Sequence, residues 1–192
     1  MILRVTYYGE PILKKKGVPV TQFDASLRRL AADMIDTMHE EEGIGLAAQQ
    51  IGEALQLFVM DLRTDGNPAF EFTYDGRAVP LDLIMPLVVA NPRIEPMPDD
   101  LTAYEEGCLS FPGIRGVIDR PERLTLHFQD LEGVEHVITC DGLFARCIQH
   151  EYDHLQGILF TERMDARTLR GLEARLKKLR RQSRDFLKTA QT

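Results

Sequence analysis

Between residues 24 and 42 the apolar positions Leu27, Leu30, Ala31, Met34, Ile35 and Met38 recur at the three-and-four spacing of one helix face. Asp24 stands where a side chain can accept the first free amides, and Gly43 where a helix can end, so a helix is predicted here. The adjoining glycine-rich run 43–50 reads as a turn. Two short apolar runs, residues 56–61 and 86–91, read as strands. The polar stretch between them, residues 63–85 with Gly66, Asn67, Pro68, Gly76 and Pro80, reads as an extended loop or irregular hairpin. Apolar and polar residues alternate at 124–128 and again at 135–140, around the turn-forming Asp130-Leu131-Glu132-Gly133, which predicts a β-hairpin. Asp141 is then placed to cap a helix running to about Gly157. A last helix starts near Asp165, with Leu169, Leu172, Leu176, Leu179 and Phe186 as a narrow apolar stripe among basic residues. Neither a repeat nor a low-complexity linker divides the chain, so residues 1–192 are expected to form one α+β domain with a helical tail.

Composition refines this picture in two places. The 192 residues, 44% of them hydrophobic, suffice for one domain with a proper core. Residues 1–6 lack the basic-then-apolar layout of a secretion signal, and no apolar run approaches membrane-spanning length, so a cytoplasmic protein without membrane association is expected. Cys108, Cys140 and Cys147 are an odd number without framework spacing, which suits a reducing compartment with thiols free or bound to metal. The net charge of −7 hides an asymmetry: residues 163–188 hold ten Lys/Arg against three Asp/Glu, leaving −14 for the rest. An acidic body with a basic terminal helix predicts an anionic partner for that helix.

The chemistry concentrates in Gln149-His150-Glu151-Tyr152-Asp153-His154. Residues four apart stack on one helix face, so His150 and His154 can offer two imidazoles to one metal ion, with the Glu151 carboxylate beside them to take a proton from water. Two histidines leave the site incomplete. The extended pattern with a third histidine six residues on fails, because Phe160 stands there. Glu173 lies at the distance of a downstream glutamate ligand but sits among Arg170, Arg175 and Lys177, where a solvated ion pair is expected. The better candidate lies upstream, in Glu105-Glu106-Gly107-Cys108-Leu109-Ser110: a thiolate binds borderline and soft divalent ions well, and the neighbouring glycine allows close backbone approach. An isolated cysteine is ordinarily an apolar core residue. Cys147, three residues before His150 on the same face, is not excluded as a ligand by spacing alone. His39, His127 and His136 read as surface or strand-edge residues.

Three motifs in order, Gly43-Ile44-Gly45-Leu46-Ala47-Ala48-Gln49-Gln50, Glu106-Gly107-Cys108-Leu109-Ser110 and the His-Glu motif, make the chain resemble peptide deformylases, from about Tyr8 to Phe160. The resemblance implies an α+β fold with antiparallel sheets around a central metal-binding helix and a carboxy-terminal amphipathic helix. It implies Cys108, His150 and His154 as metal ligands with a fourth position left to water, and Glu151 as general acid and base. It also implies Gln50 and the backbone N–H of Leu109 as donors to the developing oxyanion. Ile44, Tyr104, Leu143 and Cys147 would line the pocket for the first side chain of the substrate. Arg115 matches a position near the substrate backbone, and main-chain pairing is expected along Ile44-Gly45 and Tyr104-Glu105. Arg146 stands where an apolar pocket residue is an accepted alternative, with an aliphatic stem able to cover a methionine.

The activity so implied is removal of the formyl group from N-formyl-methionyl nascent polypeptides, releasing formate. Coordination chemistry alone favours zinc for a Cys-His-His site. The resemblance implies one ferrous iron per chain, with zinc, nickel or cobalt as substitutes. It also suggests that the basic helix at about 165–188 docks on the ribosome; neither DNA nor a membrane is an expected partner. The rival readings are a metallopeptidase cleaving internal peptide bonds and a non-catalytic ribosome-associated protein with a closed structural metal, though no fourth Cys or His stands out to close it.

Overall fold

The computed structural model describes residues 1–63 and 70–189, and for residues 98–100 the backbone alone. Helix α1, Ala25–Glu40, starts as the pattern predicts: Asp24 Oδ1 accepts the amides of Ser26 (2.9 Å) and Leu27 (3.1 Å). Its end differs from expectation. The left-handed residue is Glu42 (φ 54°), and the Gly43 amide closes back onto Met38 O at 2.8 Å. The glycine-rich run is not a bare turn either: it forms the short strand β1, Gly45–Ala47, and a 3-10 turn, Ala48–Ile51.

Five more strands complete one sheet: β2 Leu57–Met60, β3 Phe72–Tyr74, β4 Leu87–Gly107, β5 Arg115–Gln129 and β6 Glu135–Asp141, in the order β1-β2-β4-β5-β6-β3. Every neighbouring pair is antiparallel. All four residues of β2 are buried because both sheet faces are covered. Strand side chains alternate, so Leu57 and Val59 pack with Leu27, Met34 and Met38 of α1. Phe58 and Met60 face the other way, onto Phe144, Ala145 and Ile148 of helix α2, Gly142–Leu155. The helix with the His-Glu motif is therefore a core element gripped by the sheet.

The expected loop at 63–85 divides. Its residues 64–69 lie outside the described residues, but Phe72–Tyr74 form the edge strand β3, paired with β6. Phe70 meets Phe144 edge-to-face and Phe72 packs tilted against it, with ring centroids 5.5 and 5.4 Å apart, so aromatic burial offsets the polar composition. Asp141 occupies the N-cap position of α2 without capping it; its Oδ1 instead accepts the Glu71 amide at 2.6 Å and ties down the approach to β3.

Strand β4 is far longer than its apolar start suggests. Beyond Ala90 a bulge centred on Asn91 (φ 51°) takes it away from β2. The Asn91 side chain fixes that departure by bonding Val20 N and O (2.8 Å each) and Gln129 Oε1 (2.7 Å). From there β4 runs with β5 alone, so its last residues, Tyr104 to Gly107, carry an edge that no other strand among the described residues covers.

Helix α3, Ala166–Thr189, is capped by Asp165, whose Oδ1 accepts the Arg167 (2.7 Å) and Thr168 (3.0 Å) amides. Leu176 and Leu179 are buried with Leu13, Phe111, Ile118 and Phe160, and Leu169 and Leu172 pack at their margin. Phe186 departs from the expected stripe. It stays exposed, and the Arg4 guanidinium lies 3.9 Å over its ring. No helix among the described residues is long and apolar enough to cross a membrane.

Candidate metal centre

Helix α2 presents His150 and His154 one turn apart, with ring centroids 5.1 Å from each other. Cys108, just past the end of β4, brings its Sγ to 3.3 Å from His154 Nε2. Among the described residues, Cys108, His150 and His154 are the group whose candidate donor atoms come together, all within 4.8 Å. Cys147 does not join them. Its Sγ points to Ile44 O at 3.5 Å, and burial pushes its thiol well above the ordinary range. Glu173 is exposed on α3, away from the cluster.

The orientation of His150 comes from Glu106, which the motif contains but to which the sequence attached no role. Glu106 Oε2 binds His150 Nδ1 at 2.9 Å, which leaves Nε2 as the ring nitrogen turned toward Cys108 and available to a metal ion. Burial alone would push the Glu106 carboxyl up; bonds from His150 and Arg120 outweigh it and hold the group at about 2. Arg120 grips both Glu106 oxygens (2.7 and 3.0 Å) and reaches Asp153 Oδ2 at 2.7 Å, and Asp153 in turn pairs with Arg163 at 2.6 Å. A faint signal for Arg120 existed: it falls on the inward-facing alternate positions of β5, with Gly116 and Ile118.

Electrostatics separate the two histidines. Burial, then the nearby His150, hold His154 well below its usual value and therefore neutral. For His150 burial acts the same way, but bonds to Cys108 and Glu106 win and raise it well above 6.5. Burial lifts Glu151 to about 7. Glu151 Oε2 is buried without a hydrogen-bond partner, as is His154 Nδ1. A thiol, two imidazoles and an unpartnered carboxylate oxygen gathered at one site form a donor set that fits a divalent ion and water.

In front of this cluster lies a cavity of about 650 Å³. Cys108, His150, Glu151 and Gln50 line its inner part, whereas His154 sits behind them and does not. Gln50 is buried in the 3-10 turn. Its Oε1 accepts the Ala47 amide at 2.8 Å, leaving Nε2 directed to Ser110 Oγ (3.3 Å) and Cys108 Sγ (3.5 Å). Ser110, wholly buried, is a second residue to which the sequence pattern gave no weight. Ile44, Leu143 and Cys147 form an apolar wall, with Leu109 nearby. Gly45 is required here by space: a methyl on it would sit 2.9 Å from Glu151 Cδ and 3.0 Å from Cys147 Sγ. Tyr104, Glu105 and Arg115 are exposed at the rim. Arg146 differs from a simple pocket cover. It lines the cavity, yet its guanidinium is buried in bonds to Glu106, Ile118 and Thr102. His39 and His136 lie outside the cavity, paired with Asp61 (3.0 Å) and with Asp75 (2.8 Å) and Asp130 (3.2 Å).

Comparison with known proteins agrees with this geometry. A family model described as polypeptide deformylase matches residues 2–170. A peptide deformylase of Opitutus terrae is 50% identical over 182 residues, 93% of each chain. The crystal structure of peptide deformylase from Thermotoga maritima superposes with a TM-score of 0.72 at 35% identity, over 86% of this chain and 99% of that one. That of a Synechococcus elongatus peptide deformylase in complex with actinonin gives 0.74 at 36% identity, over 92% and 85%.

Proposed function

The chain belongs to the peptide deformylase family, metal-dependent hydrolases that remove the N-terminal formyl group of new polypeptides, and from that premise we propose which of its residues carry the reaction. Cys108, His150 and His154 hold one metal ion, and the observation that carries this reading is the convergence of their donor atoms within 4.8 Å, with Cys108 and His150 lining the cavity beside Glu151 and His154 behind them. When bound, the ion supplies Lewis acidity, making water acidic enough to serve as a nucleophile near neutral pH.

Glu151, a carboxylate whose pKa burial brings to about 7, accepts the proton of the attacking water. As the water oxygen bonds to the formyl carbon, the carbonyl oxygen gains charge. Gln50 Nε2 and the Leu109 amide donate to it, each such donor being worth about 3 kcal/mol in the barrier. Glu151 then delivers its proton to the amine nitrogen as the carbon–nitrogen bond breaks, leaving formate and a free amino terminus. Glu106 keeps His150 aimed throughout.

The apolar wall of Ile44, Leu143 and Cys147 accepts a first side chain such as methionine, and a formyl carbon bearing only hydrogen fits where an acetyl group would crowd. The main chain of an N-formyl-Met peptide pairs with Ile44-Gly45 on one side and Tyr104-Glu105 on the open edge of β4, with Arg115 near its backbone. The native ion is ferrous iron, one per chain, with zinc, nickel or cobalt able to replace it; the softness of a Cys-His-His set is compatible with all four. Residues 1–192 act as one catalytic domain in the cytoplasm, and the basic face of α3 docks on ribosomal RNA.

One experiment tests the ligand assignment: metal analysis of anaerobically purified wild type, Cys108→Ser and Cys147→Ser, alongside formate release from formyl-Met peptides. Iron in the wild type, lost in Cys108→Ser and kept in Cys147→Ser, is expected. Retention by the first and loss by the second would replace Cys108 with Cys147. Glu151→Gln should keep its metal while losing most turnover.

A further inference from the structure

We propose that Arg146 is a positioning residue, whose single guanidinium ties the open, peptide-binding edge of β4 to the carboxylate that aims His150. The residue is only 6% exposed, and its four terminal N–H groups are all used. Nη2 donates to Thr102 O (2.7 Å) and Thr102 Oγ1 (3.0 Å). Nη1 donates to Ile118 O (2.9 Å) and Glu106 Oε1 (3.2 Å). Its Cζ also lies 5.7 Å from the centre of the Tyr104 ring.

These contacts bracket one short piece of strand. Thr102 and Glu106 flank Tyr104 and Glu105, the stretch with the uncovered edge, and Arg146 holds both flanks at once. Arg146 also stands four residues before His150 on α2, so it rises from the helix directly below that ligand. Arg120 already satisfies the charge of Glu106 with a two-pronged contact. A second buried arginine is therefore not needed for neutrality alone, and its other prong goes to the strand. Movement of Thr102 and Tyr104 as a peptide pairs with the edge acts on Glu106 through this rigid plane, and through Glu106 on His150. A lysine could not substitute, because an ammonium lacks the planar fork that reaches four acceptors in fixed directions.

The inference rests on Cys108, His150 and His154 as ligands, and cobalt retained by Cys108→Ser would show failure of that assignment separately. The test uses the cobalt-loaded full chain and reads three quantities: KM for a formyl-Met tripeptide, the visible cobalt spectrum, and the rate of cobalt loss to a chelator. Arg146→Met, which keeps an apolar stem, should raise KM about tenfold. It should also shift the spectrum and weaken cobalt binding about tenfold or more. Arg146→Lys should recover melting temperature without recovering any of the three. Thr102→Val, which removes one acceptor of Arg146 and the hydroxyl's bond to Glu122 but touches neither Glu106 nor a ligand, should still shift the spectrum. An Arg146→Met protein with unchanged KM, spectrum and cobalt release overturns the proposal, whatever its melting temperature. If that variant does not fold, an unchanged spectrum in Thr102→Val overturns it equally.

Discussion

Replacing Glu106 by glutamine keeps shape and removes one charge, so it isolates what the buried carboxylate does. The group receives four bonds: two from Arg120 at 2.7 and 3.0 Å, one from Arg146 at 3.2 Å and one from His150 Nδ1 at 2.9 Å. Glutamine offers one acceptor oxygen and turns an NH2 group toward donors. A carboxyl held at about 2 in place of its ordinary 4.5 corresponds to about 3 kcal/mol favouring the charged form. Breaking a buried ion pair from one side typically costs about 3–5 kcal/mol. Arg120 keeps Asp153 at 2.7 Å, which argues for the lower end. A loss of about 3 kcal/mol in a protein of this size lowers the melting temperature by roughly 10 °C. Because His150 loses its orienting acceptor, metal affinity should fall by about 10- to 100-fold. Calorimetric melting of the metal-loaded protein and chelator competition read the two effects. The pH dependence adds a signature. Since folding depresses this carboxyl, its contribution is full above 4.5 and disappears as pH falls toward 2, so wild type and Glu106→Gln should converge in stability across that window. A variant that melts within about 1 °C of wild type and binds metal within about twofold would refute this account of Glu106.

Other perturbations test separate parts of the molecule. Gly45→Ala drives a methyl into Glu151 and Cys147, so kcat for formate release should drop by about 100-fold while the protein stays folded; near-normal kcat would show that Glu151 tolerates displacement. Burial would lower the pKa of His136, but Asp75 and Asp130 outweigh it and raise the group above 6.5. Its clasp therefore stabilises the protein fully below 6.5 and weakens as pH rises through the raised value. His136→Gln should flatten the fall in melting temperature over that alkaline limb, and an identical slope in the two proteins would count against the clasp. Leu176→Ala, at the buried face of α3, should cost about 2–5 kcal/mol in a single transition of the whole chain. A separate low-temperature transition would instead show α3 melting alone and defeat the one-domain reading.

Legibility in the sequence tracked locality. Helix α1 was readable because its apolar positions, cap and capped amides lie within one element, and the same holds for the Asp165 cap of α3. The far half of β4 was not. Residues 92–107 hold Pro92, Pro96, Pro98 and five acidic residues, a composition that reads as loop; the strand exists because β5 pairs with it, for example Pro96 with Leu124. Strand β3 hid for a similar reason, since the alternation of Phe70 with its own Phe72 and Tyr74 acquires meaning only against Phe144 and β6. Asp141 looked like a cap and became a clamp on Glu71, a choice made by a residue seventy positions away.

The candidate centre divides along the same line. The paired histidines and the glutamate were legible from helical spacing, and three motifs in order pointed to the family. Glu106, Ser110 and the buried fork of Arg146 carried no local signal, and Arg120 only its place in the alternation of β5, because buried polar groups are specified by partners that other elements deliver. Sequence by itself determined the local periodicities, the caps and the reactive groups, since these depend on neighbours a few bonds or one turn away. Tertiary structure alone decided how β4 carries Cys108 to a histidine forty-six residues later, that Glu106 turns His150, and that β4 keeps one edge unpaired among the described residues. Those outcomes depend on long-range packing, in which a sheet covered on both faces leaves each buried polar group a single satisfiable arrangement.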